Sequence, residues 1–108
     1  MELHTLKLVT IIAPRQMKDE LIAMFQRAQI TGYTYYDAFG KGERQLHQHV
    51  TKESVNLQFK VILPEIVATP LMEAVAEKYF NNTGVIIFSQ DAQVIRYNKF
   101  DKTLINAL

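Results

Sequence analysis

Two prolines restrict the fold of this chain more than any other feature, because each ends a strand-like run and is followed by a helix-like one. Residues 5–13, Thr-Leu-Lys-Leu-Val-Thr-Ile-Ile-Ala, are β-branched or apolar on both alternating faces, as in a central strand, and Pro14 stops them. Residues 55–63 alternate Val55, Leu57, Phe59, Val61 and Leu63 with Asn56, Gln58, Lys60 and Ile62, giving one buried and one mixed face, and Pro64 stops them. Pro14 also suits the first turn of a helix, in which Met17, Leu21, Met24, Phe25 and Ala28 recur at spacings of three and four while Lys18, Asp19, Gln26 and Arg27 fall elsewhere. After Pro64, Thr69-Pro70 has the form of an N-cap with proline at the first helical position. Leu71, Val75 and Tyr79 with Met72 and Ala76 form that helix's stripe, and Gly84 or a neighbouring asparagine closes it in the left-handed conformation.

Three further runs complete the pattern. Residues 31–39, with Thr34, Tyr35 and Tyr36, suit an extended backbone. The short apolar run 85–88 suits a buried central strand, and residues 93–97 suit a last short strand, leaving 98–108 to trail over the surface or onto a neighbouring subunit. The order is β-α-β-β-α-β, an α+β, ferredoxin-like sandwich with an antiparallel sheet and two helices on one face. A length of 108 residues suits a single domain, 1–108, large enough to bury a core without metal or disulfide staples.

The connection after the second strand is the part with functional character. Gly40 and Gly42 permit close approach of backbone to a ligand; they flank Lys41, with Arg44 two residues on, so a small anion can sit there. From 40 to 54 the chain is basic, contains His47 and His49 and has few large apolar groups, as expected of a loop. The net charge of +1 argues against a broad nucleic-acid footprint. The absence of cysteine excludes a disulfide scaffold, a thiol nucleophile and a thiolate metal site. With no basic patch leading into a long apolar run, a cytoplasmic protein without membrane insertion is expected.

Several segments together resemble the PII-like signal-transduction family: Thr10-Ile-Ile-Ala-Pro14, Thr31-Gly-Tyr-Thr34, Gly40-Lys-Gly42 with Arg44, and Ala92-Gln-Val-Ile-Arg96. The order and spacing of these segments carry the likeness, which extends from Leu8 to about Phe100. The resemblance implies a non-enzymatic homotrimer that binds an adenine nucleotide (AMP, ADP, ATP or cyclic AMP) in each cleft between subunits. It also implies an effector loop, here about 41–54, that docks on a target such as a membrane transporter or a metabolic enzyme of carbon or nitrogen metabolism. Recruitment to a membrane would then be through the transporter. By position, Gly40, Lys41, Gly42 and Arg44 fall near the phosphates and Ile11 and Ile62 near the adenine, with Gly84 and Val85 before the last strand. Gly32, Tyr33, Thr34 and Arg96 fall on the opposing subunit's side.

Departures from the nitrogen-regulatory members narrow the likeness. Those members carry a glycine-rich phosphate loop with a basic residue where apolar Val85 stands, so the triphosphate grip should be weak and the need for magnesium is open. Arg44 replaces in register the glutamine that holds 2-oxoglutarate, and no tyrosine lies between Lys41 and Ser54 for nucleotidylylation. These features look more like the carbon-associated, bicarbonate-transporter-linked (SbtB-like) branch, with bicarbonate as a possible second ligand, although the C-terminal cysteine pair found in some of that branch is missing.

Other chemistries fit less well. His47-Gln-His49 has the spacing of two imidazoles on one side of an extended segment, and a trimeric metal-binding (CutA-like) or scaffold protein of the same architecture is the alternative. Solvated or target-contacting histidines are the plainer explanation. Tyr33, Tyr35 and Tyr36 invite comparison with RNA-recognition sheets, but residues 55–63 lack the closely spaced aromatic pair with basic flanks. An acylphosphatase-like anion cradle after the first strand is opposed by Pro14, which has no amide to offer. No carboxylate dyad is spaced for acid–base catalysis, and a small nucleotide hydrolase is the weakest option.

Overall fold

The computed structural model describes residues 2–40, 54–81 and 84–96. Strand β1 (Glu2–Pro14) passes through a single 3-10 turn (Arg15–Met17) into helix α1 (Lys18–Arg27). Strands β2 (Thr34–Gly40) and β3 (Ser54–Leu63) follow, then helix α2 (Glu65–Tyr79) and strand β4 (Ile86–Arg96). The sheet order is β2-β3-β1-β4 with every neighbouring pair antiparallel, so the expected ferredoxin-like arrangement is present.

The two central strands supply the core because their alternate residues meet across the ladder on the helix-covered face. Ile11 is opposite Phe59, Val9 opposite Val61 and Ala13 opposite Leu57. Onto this face α1 presents Leu21, Met24 and Phe25, and α2 presents Ala68, Leu71, Val75 and Tyr79, forming one cluster. Phe25 and Phe59 meet edge-on at 5.4 Å between ring centroids, a favoured aromatic geometry. Helix α1 ends in a Schellman motif. The Ile30 amide donates to the Phe25 carbonyl (2.8 Å) and the Gln29 amide to that of Gln26 (3.0 Å), with Gln29 in the left-handed region at φ 60°. The buried pair Ile30 and Phe25 supplies that motif's usual apolar contact.

The structure corrects four sequence expectations. Helix α2 starts at Glu65, five residues before Pro70, which therefore lies inside the helix, and Thr69 is no cap. Residues 86–88 and 93–96 of the two expected runs belong to one eleven-residue strand that pairs with β1 without a break from Glu2↔Arg96 to Ile12↔Ile86, while Val85 precedes it and Tyr97 lies outside the described residues. That strand is at the sheet edge, not the centre, leaving Ile86 and Phe88 exposed. Strand β2 begins at Thr34, not Thr31, because pairing with β3 starts at Thr34↔Lys60. Gly84 has φ 69°, the left-handed position expected after α2.

Candidate functional site

Strand register places the predicted site residues in groups. Gly40, paired with Ser54, ends β2 at the same end of the sheet where β1 reaches Pro14 and the chain approaches β4 through Gly84 and Val85. Gly40 and Gly84 stand on opposite edges of that end, about 14 Å apart across three strand spacings. Lys41, Gly42, Arg44, His47 and His49 lie outside the described residues, as does most of the expected effector loop. A Cβ added at Gly40 or Gly32 would meet nothing within 4 Å among the described residues, so packing inside this part of the chain does not require glycine at either position.

The other predicted residues do not join that group within one chain. Arg96 pairs with Glu2 at the far end of β4, on the order of 45 Å along the strands from Gly40. Thr34 lies midway along the opposite edge, so Gly32, Tyr33 and Thr34 are not beside Arg96 either. Ile11 and Ile62 sit on opposite faces of the sheet: Ile11 is opposite Phe59 in the core with 0% exposure, whereas Ile62, opposite Leu8, faces away from the helices and is 37% exposed. One adenine ring cannot touch both side chains from one side, and Ile11 has no surface to offer it in this chain.

Strand β2, which leads to residues 41–53, is braced by contacts that are not expected from the sequence. Arg15, just past β1, forms an ion pair with Asp37 of β2 at 2.5 Å. The Lys18 ammonium lies 5.1 Å from the Tyr35 ring centroid, and its hydrogen bond to Tyr35 raises its pKa above the usual lysine value. Tyr33 and Tyr35 turn toward the helix side, against Phe25 and Phe59, so they support the core and do not form an open stacking surface. Past these braces, Phe39 and its cross-strand neighbour Val55 are exposed near the end of the β2–β3 pairing. The Arg15–Asp37 contact joins charges 22 residues apart at no regular spacing, so no local pattern signals it.

The sheet face away from the helices is the second notable surface. Tyr36, Ile62, Ile86 and Phe88 are exposed on it, and Leu8 and Ile12 are half-buried, around a nearly buried Thr10. Gln58 and Lys60 interrupt this face, but its exposed apolar side chains give it the character of an interaction surface. Among the described residues, no group of His, Asp or Glu is placed to hold a metal ion, and no helix is long and apolar enough to cross a membrane.

A family model described as nitrogen regulatory protein P-II matches residues 6–99. The chain belongs to that family. Among solved structures it is similar to a PII-like signalling protein of Thermus thermophilus, with 33% identity, a TM-score of 0.75 and coverage of 94% of this chain and all of the other. It is similar also to CPII of Thiomonas intermedia, a nitrogen regulatory PII-like protein solved with ADP, AMP and bicarbonate (26% identity, TM-score 0.74, 89% of this chain and 99% of that one). CPII with ADP and bicarbonate matches at 27% identity and TM-score 0.73, over 88% of this chain and 93% of that one. No curated protein sequence matches significantly. The P-II family is a family of signalling regulators in which trimer assembly is typical.

Proposed function

We propose that this P-II family member is a non-enzymatic trimer that binds an adenine nucleotide between subunits and controls a target protein through residues 41–54. The observation that carries this reading is the similarity over nearly the whole chain to CPII, captured with ADP, AMP and bicarbonate. Two features of the chain support it. The apolar face of Tyr36, Ile62, Ile86 and Phe88 suits subunit packing. Gly40 leads from the braced β2 stem into Lys41, Gly42 and Arg44, whose amides and charges suit phosphate oxygens.

Signalling then rests on differential binding: the nucleotide must favour one conformation of the loop over another, otherwise it shifts nothing. Target selection belongs to the loop, and a membrane transporter or a metabolic enzyme of carbon or nitrogen metabolism is the proposed class. Localisation is cytoplasmic, with membrane recruitment through a transporter, and bicarbonate is the proposed second ligand. Calorimetry of AMP, ADP, ATP and cyclic AMP, with and without magnesium and bicarbonate, tests the proposal. Saturable micromolar binding, one nucleotide per subunit, is expected; no binding across the set overturns it.

A further inference from the structure

Lys60 puts a positive charge in the middle of the sheet face turned away from the helices. Strand β3 is one of the two central strands, and Lys60 has Thr34 of β2 on one side and Thr10 of β1 on the other. Along β3 its neighbours on the same face are Gln58 and Ile62, and the apolar Leu8 and Ile12 stand diagonally across on β1. Lys60 is half-buried already in the single chain, and among the described residues it makes no ion pair. The acidic residues of β2 and β4 do not reach it: Asp37 and Asp91 are on the helix side, where they pair with Arg15 and Lys7. Among the described strand residues the only carboxylate on the face of Lys60 is Glu2, about 27 Å along β1 from Thr10. Packing of this face between subunits takes water from the ammonium. A buried ammonium without a counter-charge is strongly unfavourable, so the covered face needs an anion at this point.

We propose that Lys60 is the cationic centre of a binding site for a small phosphate-type oxyanion on this face, completed by the hydroxyl of Thr34 and the amide of Gln58. The inference rests on the reading that the face is packed between subunits. Directly opposed residues of an antiparallel pair have Cβ atoms about 5 Å apart, and successive residues on one face of a strand are about 7 Å apart. Ammonium, hydroxyl and amide can therefore reach one tetrahedral anion together. All three are donors: the ammonium supplies the charge, and the two neutral groups orient the remaining oxygens. Thr34 is exposed on an edge strand, which leaves a way in from the sheet margin. The site is separate from Gly40, which pairs with Ser54, about 20 Å along β3 from Lys60. Free phosphate and the phosphate of a nucleotide present the same chemistry to Lys60.

Lys60→Met keeps the unbranched stem and removes the charge. The test is thermal unfolding at fixed protein concentration, in Tris chloride with and without inorganic phosphate at matched ionic strength. Without phosphate, Lys60→Met should unfold at least about 4 °C above the unsubstituted protein, because it no longer buries an unpaired cation. With phosphate, the unsubstituted protein should rise by a similar amount, Lys60→Arg should keep the rise, and Lys60→Met should show none. Calorimetry of AMP against adenosine separates the two sources: a preference for AMP that is lost in Lys60→Met assigns the oxyanion to the nucleotide, and one that is kept assigns it to free phosphate. The phosphate measurement requires no nucleotide, so an absence of nucleotide binding counts against the proposed function and not against this site. The proposal is overturned if phosphate leaves the unsubstituted protein unmoved, the counter-charge then being a carboxylate of a second copy. An equal rise in Lys60→Met, or no gain from that substitution without phosphate, overturns it as well.

Discussion

Replacing Pro70 with alanine should stabilise the protein, and the sign of the effect depends on where α2 begins. With the helix starting at Glu65, Pro70 is the sixth helical residue and lacks the N–H that would bond the Ile66 carbonyl. An interior proline costs about 3 kcal/mol relative to alanine. Two terms reduce that figure: the exposure of Ile66 lets water reach the unbonded carbonyl, and alanine returns about 0.4–1 kcal/mol of unfolded-chain freedom that proline had removed. A net gain of about 1–2 kcal/mol remains, equivalent to a rise in melting temperature of at least about 4 °C. Urea unfolding at fixed protein concentration, required because assembly contributes to apparent stability, should show a higher midpoint with an unchanged slope. If the helix instead began at Pro70, proline would sit at its preferred first position and alanine would be neutral or destabilising. That result would refute the observed start of α2.

Gln29→Gly should raise stability by about 0.5–1 kcal/mol, since glycine occupies the left-handed position of the Schellman motif without strain; a loss in thermal unfolding would contradict the φ of 60°. Arg44→Ala should weaken adenine-nucleotide binding at least tenfold by calorimetry, since a charged hydrogen bond is worth about 1.5–3 kcal/mol, and unchanged affinity would remove Arg44 from the site. Asp91 raises the Lys7 pKa through a hydrogen bond and then through its charge, so the pair's contribution is fully present below the ordinary lysine value of 10.5 and is lost as pH rises through the higher folded value. Asp91→Asn should therefore lower stability at neutral pH and flatten its decline above pH 10.5, as read from unfolding midpoints across the alkaline range.

The core was legible in the sequence because periodicity reports burial directly. The alternation through Leu57, Phe59 and Val61 and the helical stripes at Leu21–Phe25 and Leu71–Tyr79 are the residues that meet between sheet and helices, whereas β1, apolar on both faces, did not show by itself that Val9 and Ile11 are on the covered side. Boundaries were less legible where a local preference competed with packing. Thr69-Pro70 is a favourable helix start in isolation, yet Ala68 is buried one stripe position before Leu71, so the core draws the helix back to Glu65. Ser89-Gln90-Asp91-Ala92 looks like a break in an apolar run, but its backbone stays paired to β1 and Asp91 finds Lys7 across the ladder. An edge strand tolerates such polar residues because one of its sides already meets water. The site was less legible still. Alternation alone puts Ile11 and Ile62 on opposite faces once the register is known, but the register is a property of the pairing that neither strand shows by itself.

The same register shows what one subunit cannot do. A ligand held by Gly40 at one end of the sheet and Arg96 at the other would have to span nearly the full length of the strands, far more than a nucleotide covers. If both residues serve one ligand, they must come from different chains. Apposition of the apolar faces bearing Tyr36, Ile62, Ile86 and Phe88 would bring two chains together without uncovering either core, since the helices seal the opposite side. Burial of that face and completion of a two-chain site are then one event, and ligand affinity should depend on protein concentration wherever the assembly is dilute enough to dissociate.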